Sequence, residues 1–306
     1  MNKFLQLVFI LPLLAYGQSI TVLETVKIVN NDGGYFCFPK FSPDGLSMFF
    51  TGSNFRGLWQ ISLESGIIEK ITDDAGAGYD PQILDQKIVY RADTYMNGRK
   101  YTSLKSIDLG SGHVSTMIDR KRHLNGITIL KDGTIRYMVE GKISTIQVEE
   151  GIAKTGIGSD ERYLMNDDAR LVIVENGRFK NLMPLGRGSY IWCSLSPDQS
   201  KILFTVAGRG TYLSDQGGNI IYDLGYANAP QWSPDGAWIA YMDDKDDGHR
   251  FLASDIYACS TDGKLRFKLT DSEQIAMYPS WSPAGNKIAF HSDAGEIYLL
   301  ALEIKP

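Results

Sequence analysis

Ala229-Pro230-Gln231-Trp232-Ser233-Pro234-Asp235-Gly236-Ala237-Trp238-Ile239-Ala240-Tyr241 decides the fold. An apolar end runs into Ser-Pro-Asp-Gly and out into a second apolar run, which reads as strand, tight turn, strand. Proline presets φ for the second position of a type I turn, aspartate tolerates the third, and glycine accepts the left-handed conformation that follows. The Ser and Asp side chains can cap backbone N–H groups of the turn. Near-copies stand at Phe41-Ser42-Pro43-Asp44-Gly45, Leu195-Ser196-Pro197-Asp198-Gln199 and Trp281-Ser282-Pro283-Ala284-Gly285, each followed by a short apolar strand. A unit recurring at tens of residues marks a repeat architecture, so the motif is scaffold and not a nucleophilic serine.

Downstream of the first quoted stretch, Asp255-Ile256-Tyr257-Ala258-Cys259, the turn Thr261-Asp262-Gly263 and an apolar run ending at Leu269 complete four antiparallel strands, one propeller blade. Weaker units occupy residues 80–118, 123–155 and 161–184, the last without room for a fourth strand. The turn positions Asp44, Asp85, Asp132, Asp168, Asp198, Asp235 and Ala284 are 41, 47, 36, 30, 37 and 49 residues apart. That spacing favours seven blades over six, the alternative being one long blade between Asp132 and Asp198. No segment carries a helical apolar period, so the expected fold is an all-β propeller of four-stranded antiparallel blades. The stretch from Ile20 to Val29 is a strand without a blade of its own. Pairing it outside the final unit, which supplies three strands, would close the ring and leave no bare edge there.

The first 17 residues read as an export signal: Lys3, an apolar run from Phe4 to Ala15, and the small-x-small site Ala15-Tyr16-Gly17. The run is shorter than the roughly 20 apolar residues of a membrane-spanning helix, and no other stretch approaches that length. Residues 18–306 are then expected to be one exported domain, periplasmic or secreted, soluble and monomeric. Formal charge is −5 for the whole chain, and mild acidity argues against a nucleic-acid partner. Cys37, Cys193 and Cys259 are odd in number and widely spaced, and read as core fillers in apolar strands.

The quoted stretch, with Asp255-Ile256-Tyr257 and Lys268-Leu269-Thr270, resembles the PD40 repeat, as does Tyr278-Pro279-Ser280-Trp281-Ser282-Pro283-Ala284-Gly285-Asn286-Lys287-Ile288-Ala289-Phe290. This is the WD40-like repeat of TolB-type propellers, and the resemblance is specific in about four of the seven units. It implies a periplasmic propeller. It extends only to the propeller, with no counterpart expected for the N-terminal domain of TolB or for the hydrolase domain of prolyl oligopeptidases. Oligogalacturonate lyases share the repeat but use metal-binding histidines, and this chain has four histidines in all. Fold carries over from such a resemblance; activity does not.

In an antiparallel blade the loops joining strands two and three emerge opposite the Ser-Pro-Asp-Gly turns, on the face that also carries the blade-to-blade connections. Two of those loops are long. Residues 91–101 are aromatic and basic, with Arg91, Asp93, Tyr95 and Arg99; residues 243–250 are acidic, with Asp243, Asp244, Asp246, Asp247 and His249. Arg209 and His291 lie on shorter loops and Arg187 and Tyr190 on a connection. Together these residues are the candidate binding set, since binding residues concentrate on loops held by a rigid scaffold. Asp243, Asp246, Asp247 and His249 are weak candidates for a divalent cation. The calcium-loop rhythm fails at Lys245, and an exposed acidic tip explains them as well. No Gly-x-Ser-x-Gly, His-Glu-x-x-His or phosphate-binding loop occurs. The expected function is binding of a protein, peptide or saccharide on this face, without catalysis and without a cofactor. The alternative is a saccharide lyase or hydrolase with a divalent metal held by Asp and His on the same face.

Overall fold

Seven antiparallel sheets succeed one another along the chain in the computed structural model, which describes residues 18–84, 86–129, 134–139, 142–147, 153–154, 162–166, 170–175 and 178–305. The expected signal peptide and the turn positions Asp85, Asp132 and Asp168 lie outside these residues. Blade 1 is β2 (Phe36–Phe41), β3 (Ser47–Gly52), β4 (Leu58–Ser62) and β5 (Ile68–Thr72), with a short 3-10 turn at Ser53–Phe55. Blade 2 is β6 (Gln82–Ile83), β7 (Lys87–Met96), β8 (Arg99–Asp108) and β9 (Val114–Lys121). Blade 3 is β10 (Leu124–Ile129), β11 (Thr134–Val139), β12 (Lys142–Gln147) and β13 (Ala153–Lys154). Blade 4 has three strands among the described residues, β14 (Tyr163–Asn166), β15 (Leu171–Glu175) and β16 (Arg178–Leu182). Blade 5 is β17 (Tyr190–Leu195), β18 (Lys201–Val206), β19 (Gly210–Asp215) and β20 (Ile220–Gly225). Blade 6 is β21 (Asn228–Trp232), β22 (Trp238–Asp246), β23 (Phe251–Ser260) and β24 (Arg266–Lys268). Blade 7 joins β25 (Ala276–Trp281), β26 (Lys287–Ser292) and β27 (Ile297–Lys305) to β1 (Ser19–Val29), in the order β1-β27-β26-β25. Blades 3 and 4 are separate sheets, which settles seven against six.

The turn chemistry expected from the motif is present at each copy. In blade 6 the Ser233 hydroxyl donates to Asp235 Oδ1 (2.5 Å) and accepts the Trp238 N–H (2.9 Å), while Asp235 Oδ1 also accepts the Ala237 N–H (3.0 Å). Blades 1 and 5 repeat this with Ser42 and Asp44, and with Ser196 and Asp198. The Ser196 hydroxyl holds the Asp198 carboxyl at about 2, below its ordinary range. In blade 7, where Ala284 replaces the aspartate, Asn286 Oδ1 takes the Ser282 hydroxyl instead (3.3 Å). The turns also mesh between blades. Gly236, Gly285 and Gly45 sit at φ of +71°, and a Cβ on each would face Pro197, Pro234 and Pro283 of the preceding blade. The last of these contacts joins blade 7 to blade 1 and so crosses the ring closure.

The aromatic before each turn packs between blades as expected. Trp281 joins Trp238 of blade 6, Phe41 joins Ala289 and Ile297 of blade 7, and Trp232 joins Leu203 and Leu213 of blade 5. Core thus accumulates at blade interfaces, where apolar area leaves water. All three cysteines are free thiols, and burial pushes Cys37 and Cys193 up to about 12 and Cys259 to about 11. Among the described residues no helix is long and apolar enough to cross a membrane.

Candidate functional site

Four innermost strands, β2, β17, β21 and β25, break their ladder in the same way. Register shifts fall between Cys37 and Lys40, Ile191 and Ser194, Asn228 and Gln231, and Met277 and Ser280. At each bulge one residue takes positive φ: Phe38 (53°), Trp192 (49°), Ala229 (46°) and Tyr278 (53°), with Asp80 (48°) just before β6. Four of the five precede a proline, in Phe38-Pro39, Asp80-Pro81, Ala229-Pro230 and Tyr278-Pro279. Proline removes a ladder donor and restricts its predecessor, so the bulge recurs where the motif recurs. Non-glycine residues held at positive φ store strain that surrounding packing must hold. All five residues line one cavity of about 640 Å³, with Lys40, Arg91, Gln231 and Ser280 also in its wall.

That cavity shares Phe38, Phe55 and Tyr278 with a second one of about 820 Å³, whose wall includes Tyr35, Asn54, Arg250, Phe251, Leu252, Met277, His291 and Asp293. The second set comes from the loops between strands two and three and from blade connections, so it is the mouth of the channel on the expected face. At the opposite end a third cavity of about 320 Å³ is walled by the Ser-Pro turns and shares Lys40, Gln231 and Ser280 with the channel. Near that end Lys40 Nζ donates to Pro81 O (2.9 Å) and pairs with Asp80 (3.2 Å), bridging blades 1 and 2.

A ladder of rings crosses the mouth over three blades. Tyr278 stacks on His291 (5.5 Å), Phe38 meets Tyr278 edge-on (4.6 Å) and stacks on Phe55 (4.8 Å), and Tyr79 meets Phe55 edge-on (5.1 Å). The Arg91 guanidinium ends the series 4.8 Å over the Tyr79 ring and donates to Leu124 O (3.3 Å). Each contact of this kind contributes about 0.5–1.5 kcal/mol beyond burial. Burial pulls Arg91 below its ordinary value, although guanidinium stays charged.

The candidate residues divide sharply. Residues 91–101, expected as a loop, are the paired arms of a long hairpin: β7 pairs with β8 from Lys87↔Asp108 to Met96↔Arg99, and Asn97 (φ 50°) and Gly98 (φ 71°) make its turn. Two positive φ values in succession match the twist of the flanking strands. Tyr95 is 71% exposed and Arg99 is also exposed. Asp93 is held by Thr102 Oγ1 (2.6 Å) and Lys100 Nζ (2.7 Å). The acidic loop is likewise the tip of hairpin β22–β23. Asp244 is buried, accepting from Tyr226 OH and Asn228 Nδ2 (both 2.8 Å). Asp246 and Asp247 accept N–H groups of their own turn, from Gly248, and from His249 and Arg250. His249 is exposed, Asp243 half-buried. Among the described residues no three His, Cys, Asp or Glu are placed to hold a metal ion.

Three candidates are tied into the scaffold by burial or by bonds to the backbone. Tyr190 is fully buried, its hydroxyl donating to Gly186 O (2.8 Å), because the strand begins one residue earlier than the connection was drawn. Arg209 Nη1 and Nη2 donate to Leu185 O (2.6 Å) and Arg187 O (3.0 Å), locking the connection that carries the exposed Arg187. His291 is 2% exposed, at the penultimate position of β26. Its Nδ1 accepts the Phe38 N–H (3.3 Å), so the neutral ring carries its proton on Nε2. Burial lowers its pKa from 6.5 to about 3.

That shift sets a pH dependence. The unfolded chain takes up the His291 proton first, so stability is constant above pH 6.5 and falls as pH drops toward 3, by at most about 1.4 kcal/mol per unit. Urea unfolding at pH 7.5 and 5.5 should differ by about 1.4 kcal/mol from this residue. His291→Asn keeps an acceptor for Phe38 and should abolish the difference. An equal slope in that variant would refute the assignment.

Fold and site together define a seven-bladed β-propeller with an aromatic floor at one mouth of its channel. In fold it is of the TolB-like and WD40-like kind. TolB from Acinetobacter baumannii superposes with a TM-score of 0.50 at 19% identity, covering 81% of this chain and 57% of that one. The β-propeller domain of Cps50 (Swd1) from Myceliophteria thermophila gives 0.63 at 11% identity, covering 92% and 99%. In sequence, 87 residues are 33% identical to the uncharacterized peptidase YuxL of Bacillus subtilis (strain 168), 28% of this chain and 13% of that protein. The chain therefore spans little more than half the TolB chain and about an eighth of the peptidase. No model of a known protein family matches it.

Proposed function

We propose that the chain is an exported, non-enzymatic propeller that binds a protein or peptide segment on the face bearing the β7–β8 and β22–β23 hairpins. The observation that carries this reading is the ladder from His291 to Arg91 at the channel mouth. Its rings alternate stacked and edge-on, so they offer slots for apolar side chains and not the single flat platform on which a sugar ring stacks. Tyr79 remains 48% exposed, and Tyr35, Tyr226 and Leu252 are exposed nearby on the same face, the usual make-up of a protein-contact surface. Export rests on residues 1–17, whose charged start, apolar run and small-x-small site match a secretory signal. The resemblance of the repeats to TolB-type propellers supports the same location.

A photo-crosslinking residue in place of Tyr79 tests the reading in envelope extracts. Polypeptide adducts should form, and Phe55→Ala in the same chain should remove them without lowering the melting temperature by more than a few degrees. A glycan-array signal that Tyr79→Ala abolishes, with no polypeptide adduct, would overturn the proposal in favour of a saccharide.

A further inference from the structure

We infer that the mouth selects a polypeptide segment of split charge: an apolar centre on the aromatic floor, an acidic flank against the blade 2 hairpin and a basic flank against the blade 6 hairpin. This rests on the peptide reading above and adds the polarity of the ligand to it. The two tall hairpins belong to blades 2 and 6, while the strand-two-to-three connections of blades 1 and 7 between them are short, a 3-10 turn at Ser53–Phe55 and residues 293–296. The hairpins are thus walls and blades 7 and 1 the floor. Arg250, Phe251 and Leu252 of the blade 6 hairpin share a cavity wall with Asn54 and Phe55 of blade 1, so that wall leans over the floor.

The walls carry opposite charge. Around the blade 2 hairpin stand Arg91, Arg99, Lys100, Arg120, Lys121 and Arg122, with Asp93 and Asp119 on its strands, while Asp74 and Asp80 of the adjoining connection are paired with Lys105 and Lys40. Lys100 and Arg120 are committed to Asp93 and Asp119. Arg99, Lys121 and Arg122 are exposed and make no direct ion pair among the described residues, Lys121 feeling Asp119 only at a distance. Residues 243–250 hold four aspartates against Lys245 and Arg250; Asp244 is buried on Tyr226 and Asn228 and Asp247 pairs with Arg250, so Asp243 and Asp246 carry the charge of this wall. A trough with walls of opposite sign focuses a field across its width, and a Debye length of about 8–10 Å at physiological salt keeps the two walls distinct. A ligand carrying one sign throughout gains at one wall and loses at the other.

The test uses synthetic peptides with one Trp-Pro-Phe centre and four kinds of flank: acidic then basic, all acidic, all basic, and uncharged. Fluorescence anisotropy should give the split-charge peptide an affinity about tenfold above the others at low salt, shrinking as salt rises. Arg99→Glu with Lys121→Glu, or Asp243→Lys with Asp246→Lys, should each lower that affinity about tenfold. All four substitutions together should restore it, because the peptide then lies the other way round. A benzophenone on the acidic flank should accordingly label the blade 2 hairpin in the parent and the blade 6 hairpin in the fourfold variant. Equal binding of all four peptides, lost in Phe55→Ala, would overturn the charge selection while leaving the peptide reading standing. Binding of none would overturn both.

Discussion

A chain starting at Asn30 should lose at least about 5 kcal/mol of stability relative to one starting at Gln18, enough to abolish cooperative unfolding in a protein of ordinary stability. The missing strand β1 pairs with β27 from Ser19↔Lys305 to Val29↔Ile297. It buries Ile20 and Val29, which are 6% and 2% exposed and contribute about 1.5–3 kcal/mol each. Lost ladder hydrogen bonds add about 1 kcal/mol apiece. Leu302, buried beside Ile20, would also return to water and β27 would become a bare edge. The measurement is urea unfolding by far-UV circular dichroism with sizing chromatography. A synthetic peptide of residues 18–29 added in trans should recover part of the loss, which a general folding defect would not allow. A truncated chain within about 1 kcal/mol of the parent would refute ring closure as the dominant constraint.

Gly78→Ala should cost about 3 kcal/mol, the upper end of the usual range for overpacking. A Cβ at Gly78 would stand 2.0 Å from Thr51 Oγ1 and 2.1 Å from its Cβ. Thr51 cannot turn away freely: it is 1% exposed and its hydroxyl donates to Gly57 O (2.8 Å). The Gly78 N–H donates to Phe55 O (3.1 Å), which docks the blade 1 to blade 2 connection and sets Tyr79 against Phe55. Binding at the mouth should therefore weaken along with stability, by tenfold or more for about 1.4 kcal/mol of misplacement. Gly33→Ala is the control, since its Cβ would meet nothing closer than 3.4 Å, and should change stability by less than about 0.5 kcal/mol. If both alanine variants melt alike, the close approach at Gly78 is not a constraint.

The turns were legible because their determinants are local. Serine, aspartate and glycine of one phrase bond to one another, as at Ser233 and Asp235, so the phrase carries its own geometry. Ring closure was legible from a strand left without partners; the blade count was less so, because the 30-residue step is short for four strands and left six blades open, and blade 4 has three strands among the described residues. The face of the candidate site was legible by the alternation of antiparallel connections, but its residues were less so. Loops drawn from charge proved to be hairpin arms at residues 91–101, although Asn97-Gly98 is a recognised hairpin signal. His291, Asp244 and Tyr190 stand at or near strand ends, where a polar residue can face either core or solvent and only tertiary packing decides. Phe38, Tyr278 and Trp192 were missed because an apolar residue in an innermost strand reads as core. The X-Pro before three of the four motifs was the available sign of a bulge that turns Phe38 and Tyr278 into the channel; Trp192, followed by Cys193, carried no such sign.

Closure by antiparallel pairing leaves Ser19 beside Lys305, at the same end of blade 7. Tension applied between these two positions would open the pair one ladder bond at a time, like a zipper, and would not shear all of them together. The assembly is then mechanically weak along that one direction, however well it resists heat. The same adjacency means that a short linker could splice Lys305 to Ser19 and new ends be cut at the exposed turn of residues 247–249, giving a permuted chain whose hoop has no seam in blade 7.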